Sequence, residues 1–273
     1  MRAQQWRLDA VSNNLSNVNT DGYKREQAAF KAFPELLLRR MKDDGQYPHP
    51  FGSGDAAPII GRLGTGVELN ELFVSFEQGS LKETESDFDI ALDGKGFFAV
   101  STPQGERYTR NGSFFLGMEG YLLTKEGYQV LGENGPIQIK ANNFQIDKEG
   151  RIWVNAEYDL DDPNILIARE RNTWAEPMLL DVLKVVDFDI DRYLKKQGSS
   201  LYYDTEISGP AMIMRGENRP PVLQGFIEAA NVEPVREMVQ MIEVNRAYEA
   251  NQKAIQSHDS MLGVLINQVA RMS

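Results

Sequence analysis

Towards the C-terminal end of the chain, seam positions return at alternating steps of three and four. Over residues 235–270 those steps join Met238, Met241, Asn245, Tyr248, Gln252, Ile255, Asp259, Leu262, Ile266 and Val269. This heptad pattern predicts a long helix that packs along another helix. Gly263 lies off the seam, and no proline falls within it. Asn245, Gln252 and Asp259 stand seven apart, so one seam position is polar in successive heptads. Polar seam residues cost stability but restrict register and choice of partner.

Leu8, Val11, Leu15 and Val18 repeat the same step at the other end. They predict a helix over residues 1–18, stopped by the turn chemistry of Thr20, Asp21 and Gly22. At 1.5 Å per residue it reaches about 27 Å, against about 54 Å for the C-terminal helix. Roughly half of the longer seam then has no partner from the opposite terminus. Ile255, Leu262, Leu265, Ile266 and Val269 lie mostly on that half. Their burial does not offset the ordering of the backbone that carries them. This half is therefore expected to need other subunits, and to lack fixed structure before they arrive. The candidate subunit-interface residues are Leu8, Val11, Asn14, Leu15, Val18, Met238, Met241, Asn245, Tyr248, Gln252, Ile255, Leu262, Ile266 and Val269. Asn13, Asn14 and Asn17 are expected to satisfy one another across helices with Arg246, Glu249 and Asn251 opposite, a solvated helix face being the alternative.

Between the ends the period changes to two. VELNELFV, DFDIALDG, GFFAVS, ERYTR, SFFLG, YLLT, YQVLG, PIQI, FQID and RIWVN are short, β-branched or aromatic, and separated by turns. MEG at 118–120, ENG at 133–135 and KEG at 148–150 read as hairpin corners. PELLLRRM at 34–41 reads as one or two helical turns. Residues 42–66, rich in Gly, Pro, Asp and Ser, read as a long loop or extended arm. Residues 157–176 read as a surface excursion, and MLLDVLKVVDF and SLYYDT as further strands. Asn231 is placed to cap the last helix, with Pro234 in its first turn. The fold class is α+β: long N- and C-terminal helices paired as a coiled-coil-like stalk around a central, mainly β domain. Residues 1–30 and 228–273 form the helical part, 31–66 the linker, and 67–227 the β-rich domain.

The 273 residues, 41% hydrophobic and 25% charged, suffice for a real core. A net charge of −11 argues against nucleic-acid binding, which needs a basic face. Cysteine is absent, which excludes disulfides, thiolate catalysis and Cys-based zinc sites. No apolar run approaches membrane-spanning length and no signal peptide is evident, so membrane insertion is not expected. DGKGFFAV at 93–100 contains a G-x-G-x-x-A string, but Phe97, Phe98 and Val100 continue it as strand, not as the helix that a pyrophosphate cradle requires. Asp187, Asp189 and Asp191 share a strand face and could face a hard cation, as could Asp159, Asp161 and Asp162 in a loop. No calcium-loop spacing follows, so solvated faces are the better reading. Asp87 and Asp89 are explained by strand alternation, and His49 and His258 lack any catalytic neighbour. No catalytic, metal or cofactor site is expected.

SNNLSNVNTDGYK at 12–24 closely resembles the N-terminal signature of the flagellar rod and hook family. GKGFFAVSTPQGERYTRNGSF at 94–114 is similar to the family's β-domain block. QGFIEAANVEPVREMVQMIEVNRAYEANQKAIQSHDSMLG at 224–263 is similar to its C-terminal block. The resemblance implies an axial subunit of the bacterial flagellum that polymerises with itself and other rod and hook proteins. Its terminal helices would form the inner tube, with the β domain outside, so that the shaft transmits torque and encloses the export channel. It also implies export through the flagellum-specific type III apparatus without a cleaved signal, and a place in the rod that spans the periplasm. GENGPI at 132–137 and the closing RMS lean towards the proximal-rod member, with the distal-rod member next. A secreted β-domain enzyme and an adhesin-like filament are the competing classes.

Overall fold

The computed structural model describes residues 2–39, 46–49, 52–55, 59–139, 144–155, 177–198 and 200–272. The chain is mixed α and β, with a mainly β domain and a long C-terminal helix. It divides into two compact units. One comprises Ser12–Glu26 and Val74–Met238; the other comprises Met1–Val11, Gln27–Phe73 and Val239–Ser273.

The β unit is built around the strand Phe97–Thr102. It pairs antiparallel with Gly105–Thr109, with Gln129–Val130 and with Val185–Asp187, at the centre of a nine-stranded sheet. Alternate side chains of a strand point to opposite faces, and here both faces are covered. Phe98 and Val100 enter a core with Ile90, Leu122, Ile152 and Leu183. Phe97 and Ala99 enter a second core with Tyr108, Phe188 and Tyr202. Edge-to-face contacts tie the rings together, Phe97 to Phe76 at 5.1 Å and Phe98 to Phe114 at 5.4 Å. A three-stranded sheet of Phe144–Ile146, Arg151–Asn155 and Pro177–Val182 supports the first core.

Turn chemistry sets these pairings. Gly120, Gly135 and Gly150 all have positive φ, at +79°, +138° and +73°, in the three corners the sequence marks. The GENGPI corner is further held by Asp181. Its carboxylate accepts from Asn134 N at 3.3 Å and from Asn134 Nδ2 at 2.9 Å.

The chain's last strands close onto early ones. Val222–Gln224 pairs with Ile90–Leu92, and Phe226–Glu228 with Leu81–Glu83, placing Glu228 opposite Leu81. This carries the exit of the β domain back to its entrance.

The other unit contains most of both helices, α1 (Arg2–Ser16) and α2 (Pro234–Met272). It also holds three ribbons: Glu26–Ala32 with Val67–Val74, Leu36–Arg39 with Ile59–Leu63, and Gln46–His49 with Gly52–Asp55. The helical turns expected at 34–41 are therefore a strand, Leu36–Arg39. A short apolar run has no period that separates helix from strand, and here cross-strand pairing decides. Within the stretch read as a long loop or extended arm, residues 46–49, 52–55 and 59–63 form antiparallel ribbons. The excursion expected at 157–176, and Asp159, Asp161 and Asp162, lie outside the described residues.

Two helix expectations need correction. α1 ends at Ser16, and Val18 sits in the turn that follows. α2 runs without a break to Met272, so the distal half expected to lack fixed structure is helical here. Its Ala, Gln, Met and Leu content favours the helical backbone even where side chains are uncovered.

Candidate assembly surface

Packing along α2 changes abruptly partway. Glu237 and Val244 are each 1% exposed, and Met241 and Tyr248 are half-buried. Beyond Tyr248, residues 249–262 are all exposed. The buried stripe thus runs 237, 241, 244, 248. It shares Met241 and Tyr248 with the predicted seam but replaces Met238 and Asn245, both exposed, by Glu237 and Val244. Gln252, Ile255, Leu262 and Ile266 are exposed, with Leu262 at 56% and Ile266 at 67%. Val269 is helical, and its side chain lies outside the described residues. Met261, Val264 and Leu265 extend the exposed apolar surface of the same half-helix.

On α1, Val11 and Asn14 are buried and Leu8 and Leu15 half-buried, as is Val18 in the turn that follows. Arg2, Gln5, Trp6, Leu8 and Asp9 line one open groove with Tyr248 of α2, about 620 Å³ in volume. Trp6 remains 46% exposed beside it. The groove's lining mixes Trp6, Leu8 and Tyr248 with the polar Arg2, Gln5 and Asp9.

The asparagines of the N-terminal signature do different work from that expected. Asn14 satisfies all four of its side-chain hydrogen bonds. Its Nδ2 donates to Glu26 O at 2.9 Å and Glu237 Oε2 at 3.3 Å, while Oδ1 accepts from Glu26 N at 2.9 Å and Tyr23 Oη at 3.2 Å. Asn13 donates to Glu26 Oε2, and Asn17 donates back to Asn13. Arg246, Glu249 and Asn251 are exposed. The reason is the early end of α1: the chain turns back at once, and its own next strand offers the partners.

That turn leads into a buried ionic cluster. Gly22 has φ +66°, and its amide donates to Glu228 O at 2.7 Å. Lys24, fully buried, places Nζ 2.6 Å from Glu228 Oε1 and 2.6 Å from Glu77 O. Arg110 Nη1 lies 3.4 Å from Glu228 Oε2, and Gly79 N donates to Glu228 Oε1 at 2.8 Å. Burial pulls both Lys24 and Arg110 below their ordinary pKa values, and the charge of Glu228 opposes that fall. Beside the cluster, Arg25 Nε pairs with Glu237 Oε1 at 2.8 Å. Glu237 stands in the first turn of α2, where the helix dipole also favours a carboxylate. Asn231 is not the helix cap. Its Oδ1 accepts from Arg25 N at 2.7 Å, and its Nδ2 donates to Ser75 O and Glu77 O.

Family comparison joins these pieces. Residues 1–24 match the family described as flagella basal body rod protein, 91–167 the flagellar hook protein FlgE/F/G D1 domain, and 223–268 the flagellar basal body rod FlgEFG protein C-terminal region. A flagellar basal-body rod protein FlgG of Buchnera aphidicola is 35% identical over 95% of this chain and 93% of its own length. FlgG of Borreliella burgdorferi is 34% identical over 98% and 94%. The flagellar hook-basal body complex protein FlhO of Bacillus subtilis is 31% identical over 100% and 96%.

The chain belongs to the flagellar basal-body rod protein family. It is a structural rod subunit, not an enzyme. The N- and C-terminal family matches meet in the cluster just described, since Lys24 lies in one and Glu228 in the other. The remaining motifs have plain structural uses. Gly94 and Gly96 form the turn into Phe97–Thr102 at φ +138° and +125°. Asp189 and His258 are exposed, and among the described residues no group of acidic and histidine side chains is placed to hold a metal ion. Among those residues, too, no helix is long and apolar enough to cross a membrane.

Proposed function

We propose that this chain is a distal-rod subunit that polymerises with copies of itself and with neighbouring rod and hook proteins into a helical tube. The observation that carries the reading is the exposed apolar surface on the distal half of α2, Ile255, Met261, Leu262, Val264, Leu265 and Ile266. Subunits joined head to tail through unlike faces, with a rotation that does not close, extend indefinitely. The distal half-helix and the groove at Trp6, Leu8 and Tyr248 are two such unlike faces. The terminal helices then form the inner tube. The assembly transmits torque across the periplasm and encloses the export channel, its subunits arriving through the flagellar type III apparatus.

Distal is preferred to proximal because relatives named FlgG match along more than nine-tenths of their length. The proximal lean rests on two short strings, of which GENGPI is accounted for by its turn and by Asp181. Removal of residues 244–273 tests the assembly reading. The shortened chain should keep its β circular-dichroism signal and fail to enter basal bodies; entry at the wild-type level would overturn the reading. A density map of the basal body that resolves this chain's level along the rod decides between distal and proximal.

A further inference from the structure

We propose that Glu228 is a latch: the C-terminal block from Glu228 onward, closed over residues 12–25, holds that segment against local opening. The N-terminal segment finds many of its partners near the other end of the chain. Lys24 bonds Glu228 across 204 residues of sequence, and Arg25 N bonds Asn231 across 206. Gly22 N reaches Glu228 O, Asn231 N reaches Tyr23 O, and Asn14 reaches Glu237. The segment also has partners outside the C-terminal block, Glu77 O for Lys24, Lys125 for Asp21 and Glu26 for Asn13 and Asn14. Ser75 N also bonds Arg25 O, and the Lys196 ammonium lies over the Tyr23 ring at 4.5 Å.

Within this set the carboxylate of Glu228 has a singular position. Two buried cations, Lys24 and Arg110, share it, and Gly79 N donates to it as well. Removing Lys24's charge leaves the carboxylate paired with Arg110. Removing the carboxylate leaves two cations buried without their counter-ion, which is the costlier error by far. The β cores sit on other strands and do not require the latch. Opening is therefore local, confined to residues 12–25 and 228–238, in the manner of a separate cooperative unit. Since synthesis proceeds from the N-terminus, the latch closes only once the end of the chain exists. For the assembly reading, on which this consequence alone rests, only a complete subunit then presents the end of α1 and the beginning of α2 in docking form.

Hydrogen exchange on the full-length chain tests this. In Glu228→Gln, amides of residues 13–24 and 229–237 should lose about a hundredfold in protection, while those of Phe97–Thr102 and Val185–Asp187 keep theirs. In Lys24→Met, with the carboxylate still paired, residues 13–24 should stay protected. Unchanged protection at 13–24 in Glu228→Gln, or equal loss in the core strands, would overturn the latch; so would Lys24→Met loosening the segment as much as Glu228→Gln. Should Glu228→Gln not fold, exchange of the wild-type chain in a urea series decides. The two segments should open together, below the urea range of the core; exchange of residues 13–24 only through global unfolding would overturn the proposal. None of these results bears on the distal half of α2, so failure of the latch is distinguishable from failure of the assembly reading.

Discussion

Replacing Leu262 and Ile266 together by alanine separates assembly from folding. Both side chains lie on the uncovered part of α2, with 56% and 67% of their surface still in water. Alanine keeps the helix propensity, and substitution at such exposed positions changes monomer stability by no more than about 0.5 kcal/mol each. Full burial of a Leu or Ile side chain stabilises by about 1.5–3 kcal/mol. A little over half of that remains to be gained at an interface, about 1–2 kcal/mol per residue and about 2–4 kcal/mol for the pair. At about 1.4 kcal/mol per decade this is about a thirty- to thousandfold loss in subunit affinity. The assay is competition: cells expressing wild-type and variant chains at equal levels, basal bodies purified, and the two chains counted by mass spectrometry. Urea unfolding of each purified monomer runs alongside. The variant should be under-represented by at least thirtyfold while its urea midpoint is unchanged. Equal incorporation would refute the reasoning, and so would a midpoint that falls in step with incorporation.

Other perturbations probe the β unit. Gly22→Ala forces a side chain onto φ +66° and drives its Cβ into the Asn111 backbone; a loss of at least about 2 kcal/mol in urea unfolding is expected, and a change below about 0.5 kcal/mol would contradict the geometry. Asp181→Ala removes the acceptor for both Asn134 nitrogens and should cost about 1–3 kcal/mol, with faster amide exchange at residues 132–135; a silent substitution there would count against the turn's construction. Lys24, whose folded pKa burial holds below its unfolded value, binds fewer protons folded than unfolded in the interval between the two. Stability should therefore rise with pH through that interval, up to about pH 10.4, and Lys24→Met should flatten the rise; a wild-type curve that falls there would show the sign to be wrong.

How far the chain announces itself differs from region to region. VELNELFV coincides with the strand Val67–Val74, and the glycines of MEG, ENG and KEG take positive φ at the corners, because alternation and turn chemistry are local. The stripe along α2 is harder to place. Two phases, one through Glu237 and Val244 and the other through Met238 and Asn245, share Met241 and Tyr248, so spacing alone does not choose between them. Tertiary contact chooses: Glu237 is drawn inward by Asn14 and Arg25. The Lys24, Arg110 and Glu228 cluster has no short-range pattern at all, since its members are brought together by sheet closure from distant parts of the chain. Charged residues scattered in a sequence read as solvated, and here only the family signature ending in Lys24 marked the place. Asn231 shows the converse, a residue with good cap chemistry whose side chain finds better acceptors and donors in the neighbouring strands.

Because the chain contains no cysteine, Leu262→Cys gives a single thiol on the distal half of α2. Its rate of maleimide labelling, compared between purified monomer and intact basal bodies, reads the cover over that helix directly. The account predicts rapid labelling of the monomer and strong shielding in the assembled rod. A thiol shielded already in the monomer, or labelled equally fast in both, would contradict it.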